Sequence, residues 1–143
     1  MLTTAVAFSP ALGADGIVTK PSAFPVAETI ERLEKSARER DFVIVARIDH
    51  AAAATKAGLE LRPTVLLIFG NPRGGTPLMQ SAPSIGLDLP LKALAWEDAA
   101  GRTWLAYNDP QWLAQRHGLT GRPELVQRMS TALDQLTDAA TKR

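Results

Sequence analysis

The chain has 143 residues, of which 45% are hydrophobic and 22% are charged, a composition typical of one ordinary globular domain. Its sixteen basic residues nearly balance its fifteen acidic ones, and no long run of one sign occurs, which disfavours nucleic acid as a partner. The chain contains no cysteine, which excludes disulfides, thiolate metal ligands and a cysteine nucleophile.

The first fourteen residues are uncharged and end in Ala11-Leu12-Gly13-Ala14, just before the first acidic residue, Asp15. An apolar stretch that ends in small residues resembles the second half of a secretory signal, although the basic segment that normally begins such a signal is missing. We therefore expect an exported, periplasmic protein with a single domain over residues 15–143. A cytoplasmic protein with an apolar tail is the alternative. We expect no membrane span, because no segment reaches the ~20 apolar residues that a span requires.

A short strand is predicted over Gly16 to Lys20, and the prolines at positions 21 and 25 predict the entry to a helix. The helix is predicted over Val26 to Arg40. Its apolar residues at positions 26, 30, 33 and 37 form one stripe, and Glu-before-base pairs at i,i+4 cover the rest of its surface.

A β-branched run from Phe42 to Asp49 predicts a strand with two apolar faces. Strict alternation assigns its residues to two sets: Phe42, Ile44, Ala46 and Ile48 on one face, and Val43, Val45 and Arg47 on the other. If helices cover the first face, the second apolar row predicts contact with another copy of the chain or with a ligand. We therefore predict a homodimer.

The remaining elements follow from glycines, prolines and apolar runs. They are a short helix or turn over His50 to Gly58, a strand over Thr64 to Phe69, a short helix with Thr76 as N-cap that Pro83 ends, strands over Leu91 to Trp96 and Arg102 to Tyr107, a helix from Pro110 to His117 with Asp109 as N-cap, and a last helix from Pro123. Short links between successive strands predict an α+β fold, an antiparallel sheet with helices on one face and short extra helices in the connections.

Four segments together resemble the family named Domain of Unknown Function 302 (DUF302). They read ARIDHAAAATKAGLELRPT, LLIFGNPRGGTPLMQ, IGLDLPLKALAWED and YNDPQWLAQRHGL, within Phe42 to Leu119. The resemblance implies half of a TATA-binding-protein-like fold: a strand, a helix, four antiparallel strands and a long helix. It also implies export, which many similar proteins share. It supplies no activity, and a shared fold does not imply DNA binding.

In an antiparallel meander the strand ends alternate between two rims of the sheet. The first rim is predicted to collect Asp49, His50, Arg62, Glu97 and Asp98. There His50 beside Asp49 or Asp98 would suit a general base, with Arg62 holding an anion. The alternative is structural, with Arg62 paired to a carboxylate of the hairpin, and we favour it.

Polar residues of the second rim are candidate ligand-binding residues: Asn71, Gly74, Gly75, Thr76, Asp88 and Asn108. The run from Arg73 to Thr76 before a helix would bind an anion through backbone N–H groups, but it lacks the Lys-Ser/Thr ending of a phosphate loop. A glycine turn that leads into the Thr76 cap is the favoured alternative. Asp88 is expected to accept turn N–H bonds, although a partly buried carboxylate also suits a tuned acid.

Two histidines 67 residues apart and no cysteine predict no metal site, and we expect no cofactor. The three tryptophans are interpreted as core or dimer contacts. The leading functional interpretation is a non-enzymatic exported module that dimerises and binds a small ligand between the sheet and its helices. The alternatives are a small hydrolase or isomerase that uses His50 with Asp49 or Asp98, and a subunit of a larger complex.

Overall fold

The computed structural model describes residues 11–12 and 16–143. The predicted signal segment, residues 1–14, therefore lies outside the described residues except for Ala11 and Leu12. The strands are β1 (Ala11–Leu12), β2 (Ile17–Ser22), β3 (Val43–Asp49), β4 (Thr64–Gly70), β5 (Leu91–Glu97) and β6 (Thr103–Asn108). The helices are α1 (Val26–Glu39), α2 (His50–Lys56), α3 (Pro72–Ser81), a 3-10 helix (Pro83–Leu87), α4 (Pro110–Arg116) and α5 (Pro123–Thr141).

All six strands form one antiparallel sheet in the order β1-β2-β6-β5-β4-β3. Strands β3 to β6 are a meander in which each strand pairs with the next one along the chain. Strand β2 pairs with β6, on the opposite side of the meander from β3, and the two-residue β1 pairs with β2. The predicted α+β class, with one antiparallel sheet and short helices in the connections, is confirmed.

Helices α1 and α5 pack together on one face of the sheet and enclose the main core. The predicted stripe of α1 is buried, as are Leu133, Leu136 and Ala140 of α5. Strand β4 meets them with alternate residues, Val65, Leu67 and Phe69, which are also buried. The apolar residues that recur every 3.6 positions on the helices thus pack against the apolar residues at every second position of the strand, in one buried layer.

One buried cation ties β2 to α5. Lys20 Nζ donates to Asp134 Oδ1 at 2.7 Å, to the Asp134 backbone carbonyl at 3.0 Å and to Asp138 Oδ1 at 2.9 Å. Desolvation raises the pKa of Asp138, but hydrogen bonds from Lys20 and Lys142 outweigh it, so the pKa lies below its usual value. Burial, reinforced by the Asp134 charge, raises the pKa of Tyr107 to about 12. This phenol therefore stays neutral at physiological pH.

A β-bulge in β3 changes the predicted assignment of its side chains. The pairing with β4 shifts between Ile44 and Ala46, which leaves Val45 as an extra residue. Ile44 lies beside the buried Phe69, whereas Ile48, beyond the bulge, is 38% exposed. The prediction that Ala46 and Ile48 share the core face with Ile44 is wrong, because one extra residue reverses the alternation that follows it.

The face of the sheet opposite α1 and α5 is largely apolar and partly exposed. Its central residues are Leu66, Ile68, Leu94, Trp96 and Trp104, which are paired side by side across β4, β5 and β6. At the β3 edge, Val43 is 59% exposed and Val45 is 57% exposed. In the described part of the chain both valines are therefore more than half exposed.

Candidate functional site

A groove of about 750 Å³ lies between α5, the start of α3 and the first residues of β3. Its apolar lining comprises Phe42, Val43, Val45, Pro72, Met79, Leu89, Pro90, Leu91, Leu125, Met129 and Ala132. The volume falls within the range of pockets that hold small molecules. The groove thus occupies the position predicted for a ligand, between the sheet and its helices.

Local sequence explains why the groove is open at this corner. Strand β4 ends at Gly70, and α3 begins only two residues later at Pro72. Gly75, in the first turns of α3, has no side chain, and the nearest atoms to its absent Cβ are those of Leu89 and Met79, at 3.6 and 3.9 Å. Phe42 packs edge to face on Phe69 at 5.6 Å between ring centroids, which joins the groove wall to the main core.

Arginines supply all the charge among the described residues that line the groove: Arg40, Arg73 and Arg128. Arg40 donates to the Gln135 side chain, and none of the described residues gives it a carboxylate partner. Within the described part of the chain, neither Arg73 nor Arg128 has an acidic side chain within 4.0 Å. The groove therefore combines an apolar body with unneutralised positive charge.

Four of the candidate ligand-binding residues line this groove: Asn71, Gly74, Gly75 and Thr76. Their local structure differs from the prediction. Helix α3 begins at Pro72, and Asn71 is its N-cap, whose side chain accepts from Arg73 N at 2.9 Å. The prediction of Thr76 as N-cap and of a glycine turn before it is wrong, because Asn71 with Pro72 supplies an earlier cap and first helical residue.

Arg62 and Asp98 of the first predicted rim form ion pairs and hydrogen bonds that stabilise the local structure. Arg62 pairs with Glu97 at 3.2 Å, which is the structural alternative for that arginine. Asp98 accepts from Trp104 Nε1 at 2.8 Å and from backbone N–H groups within its own hairpin. These hydrogen bonds, that of Trp104 foremost, lower the pKa of Asp98 to about 2. Asp98 is therefore a turn-forming carboxylate that stays ionised.

Asp49 and His50 lie at the junction of β3 and α2. The Asp49 carboxylate caps α2 by accepting from Ala52 N at 2.9 Å, and His50 is exposed at the first helical position. Among the described residues, no hydrogen bond joins His50 to Asp49 or to Asp98. This arrangement does not hold the imidazole in a fixed orientation toward a carboxylate.

The other second-rim candidates lie away from the groove lining. Asn108 is exposed at the end of β6, and Asp109 caps α4 as predicted, with its carboxylate accepting from Gln111 N at 3.0 Å. Asp88, which follows the 3-10 helix, pairs with the side chains of Arg116 and His117 and not with turn N–H groups as predicted. Arg116 donates to both of its carboxylate oxygens, and His117 Nε2 lies 2.5 Å from Oδ2.

From the sequence, His117 is predicted only to end α4. In the structure its side chain is 6% exposed, and Nδ1 lies 2.8 Å from Ser84 Oγ. A signal for this burial exists in the sequence, because His117 follows the buried Leu113 by four residues and therefore shares its helix face. Two groove arginines, Arg40 and Arg128, have no sequence signal of this kind, since they come from segments far from the Arg73–Thr76 run that was considered for anion binding.

In the part of the chain that the structure describes, no group of three or more histidine, aspartate or glutamate side chains is placed to hold a metal ion. The same described residues include no helix with the length and apolar character needed to cross a membrane.

Proteins similar to this chain occur in Brucella. The chain is 57% identical over 104 residues to proteins named "Fluoride-specific ion channel FluC 1" in Brucella suis biovar 1 and Brucella abortus biovar 1. The match covers 73% of this chain but only 41% and 38% of those two proteins. The chain therefore matches about two fifths of the length of these relatives.

A solved structure from Bacillus stearothermophilus, an uncharacterized conserved DUF302 protein, has the same fold. It superposes with a TM-score of 0.79 over 87% of this chain and 98% of its own, at 22% sequence identity. The family model described as "Domain of unknown function DUF302" matches residues 18–136, which is most of the chain. This protein therefore belongs to the DUF302 family.

Proposed function

We propose that this protein is an exported, dimerising module that binds a small amphipathic carboxylate in the groove between β3, α3 and α5. One observation carries the proposal: the groove lining is apolar, and arginine is the sole charged residue type among the described residues that line it. The described residues of the lining include no histidine or carboxylate to act as a base, which favours binding over chemistry at this place.

The chemistry of the lining selects the ligand class. Phe42, Met79, Leu89 and Met129 would cover an apolar chain or ring. An arginine guanidinium presents two parallel N–H donors that match the two oxygens of a carboxylate, whereas an alcohol offers one oxygen and no charge. A ligand with an apolar body and one carboxylate therefore uses both features of the groove.

Binding can be tested with straight-chain carboxylates from acetate to dodecanoate and with the alcohols of equal length. Calorimetry and melting temperature should show saturable binding that strengthens with chain length and favours each carboxylate over its alcohol. Arg128→Ala should weaken carboxylate binding by roughly 10- to 100-fold, because a hydrogen bond to a charged group contributes about 1.5–3 kcal/mol.

Arg122→Ala is the matched control, since Arg122 is exposed at the start of α5 and does not line the groove. It should bind dodecanoate as the wild type does. Equal affinity for dodecanoate and dodecanol, or no saturable binding of any member of the series, would contradict the proposal.

Dimerisation is supported by the apolar outer face of the sheet and by the exposed Val43 and Val45 at its β3 edge. A second copy of the chain is the proposed cover, because most homo-oligomers are two-fold symmetric and place one patch against itself. Export is supported by the uncharged sequence that precedes Asp15. Amino-terminal sequencing of protein from its natural host should find Asp15 or a close neighbour first, and an intact Met1 would contradict export.

The relatives favour a second candidate, a module that works beside a membrane protein. Proteins named fluoride-specific ion channels contain a region 57% identical to this chain in about two fifths of their length. We propose that the open sheet face would then dock on such a partner. Cells that lack this chain should tolerate less fluoride, and a copy with Val45→Asp should fail to restore tolerance. Unchanged fluoride tolerance in the deletion strain would contradict this candidate.

A further inference from the structure

Ser84, His117 and Asp88 form a hydrogen-bonded chain of three side chains, separate from the groove lining. Ser84 Oγ lies 2.8 Å from His117 Nδ1, and His117 Nε2 lies 2.5 Å from Asp88 Oδ2. Ser84 is exposed, the imidazole is 6% exposed and the Asp88 side chain is 16% exposed. A hydroxyl open to solvent is thus backed by a buried base and a carboxylate.

Apolar anchors hold these residues in place. In the 3-10 helix, the buried Ile85 packs into a small core and leaves its neighbour Ser84 directed outward. In α4, the buried Leu113 belongs to the same core, and His117 lies one helical turn further on the same face. The constellation therefore stands on two short helices that share one packed cluster.

The partners of the imidazole determine which nitrogen carries the proton. An ionised carboxylate only accepts hydrogen bonds, so in the neutral imidazole the nitrogen that faces Asp88 is the one that carries the proton. Nδ1 then keeps its lone pair toward the Ser84 hydroxyl, as a general base requires. Arg116 binds the same carboxylate at 3.0 Å and holds it in position.

We propose that Ser84 is the nucleophile of a hydrolytic site for short carboxylic esters, with His117 as its general base and Asp88 as a positioning residue. Nucleophile–base–acid constellations of this kind are recognised by geometry and roles and recur on unrelated folds. The proposal goes beyond ligand binding in the groove and does not depend on it.

The reaction consumes one ester and one water. Ser84 Oγ bonds to the ester carbonyl carbon while its proton passes to His117 Nδ1; the tetrahedral intermediate then expels the alkoxide, which takes that proton and leaves as an alcohol. Water attacks the resulting acyl-serine and gives its proton to His117. Collapse of the second intermediate breaks the acyl–Oγ bond, returns the proton to Ser84 and releases a carboxylic acid.

The surroundings of Ser84 limit the substrate. Side chains three residues apart on a 3-10 helix eclipse one another, so Leu87 stands on the same side as Ser84. Leu87 is 78% exposed and offers one apolar contact beside an open nucleophile. A short, unbranched acyl group fits that surface.

The test uses p-nitrophenyl acetate for turnover and a fluorophosphonate for covalent labelling, which forms a serine–phosphorus bond and expels fluoride. Mass spectrometry should place the label on Ser84. Ser84→Ala should lose the label and at least about 100-fold of the esterase rate, in line with the usual contribution of nucleophile and base. Because Ser84 is exposed, this variant should melt as the wild type does.

Ser81→Ala is the matched control, an exposed serine three residues upstream, and should keep both label and rate. Asp88→Asn should lower kcat and slow the labelling of Ser84 without raising KM, which a purely structural role would not produce. Equal esterase rates for wild type and Ser84→Ala, or a label on residues other than Ser84, would overturn the proposal.

Discussion

Replacing Val45 by aspartate should dissociate the proposed dimer before it affects the fold of the single chain. Val45 is the extra residue of the bulge in β3 and is 57% exposed, so the substituted carboxylate can remain in water in the monomer. In a dimer that covers this edge, the same carboxylate would be buried without a partner. The perturbation thus separates association from folding.

The size of the effect follows from the exposed area. Full burial of a valine side chain stabilises by roughly 1.5–3 kcal/mol, and a partner can bury about half of that at Val45. A two-fold dimer contains the contact twice, so its loss costs about 1.5–3 kcal/mol, or a 10- to 100-fold rise in Kd. Desolvation of the aspartates adds to this loss.

Sedimentation equilibrium should show wild-type dimer and a Val45→Asp monomer at tens of micromolar, and the monomeric variant should still unfold in one cooperative melting transition. Leu87→Asp is the control, because Leu87 is exposed on the 3-10 helix and lies outside the sheet. It should remain dimeric. A wild-type monomer at these concentrations, or a Val45→Asp variant that unfolds instead of dissociating, would contradict the proposed dimer.

Three further predictions concern stability and His50. The folded pKa of Asp98, about 2, lies below its ordinary 3.8, so the stability that its ionised form contributes is complete above pH 3.8 and is lost as the pH falls toward 2. Asp98→Asn should therefore reduce the fall in melting temperature between pH 3.8 and 2. An unchanged fall in this variant would contradict the prediction. Gly16→Ala should lower the melting temperature by roughly 10 °C, because φ is +74° and a Cβ would lie 2.2 Å from Trp112 Cγ. Gly58→Ala, with the same φ of +74° but open space, should lose far less, and equal losses would show that strain alone decides. His50→Ala should leave the melting temperature and the dodecanoate affinity unchanged, since His50 is exposed and lies outside the groove lining. A loss of more than about tenfold in affinity would show that His50 takes part in binding.

Elements whose signals are local were predicted well from the sequence. The stripe from Val26 to Ala37 identified the buried face of α1, and Asp109-Pro110 identified the cap and first residue of α4. The meander followed from short links between strands. In each case the determining contacts lie within a few residues of one another, so spacing and residue type are enough.

The two wrong predictions have different causes. Asn71-Pro72 and Thr76-Pro77 are both plausible starts of a helix, and the chain uses the first and tolerates Pro77 inside α3. The alternation of side chains along β3 does not reveal the bulge at Val45, because its position is set by pairing with β4 and not by β3 itself.

Residue patterns along the chain are enough to predict the α+β class, the antiparallel meander, the helix faces and the apolar pair Val43 and Val45. The groove and the hydrogen-bonded chain from Ser84 through His117 to Asp88 are visible only in the folded chain. Arg40, Arg73 and Arg128 come from three separate segments, and Ser84 and His117 are 33 residues apart. Such sites depend on how packed helices and strands approach one another. Strand register and core packing determine that approach together, so the spacing of residues within one segment does not reveal it.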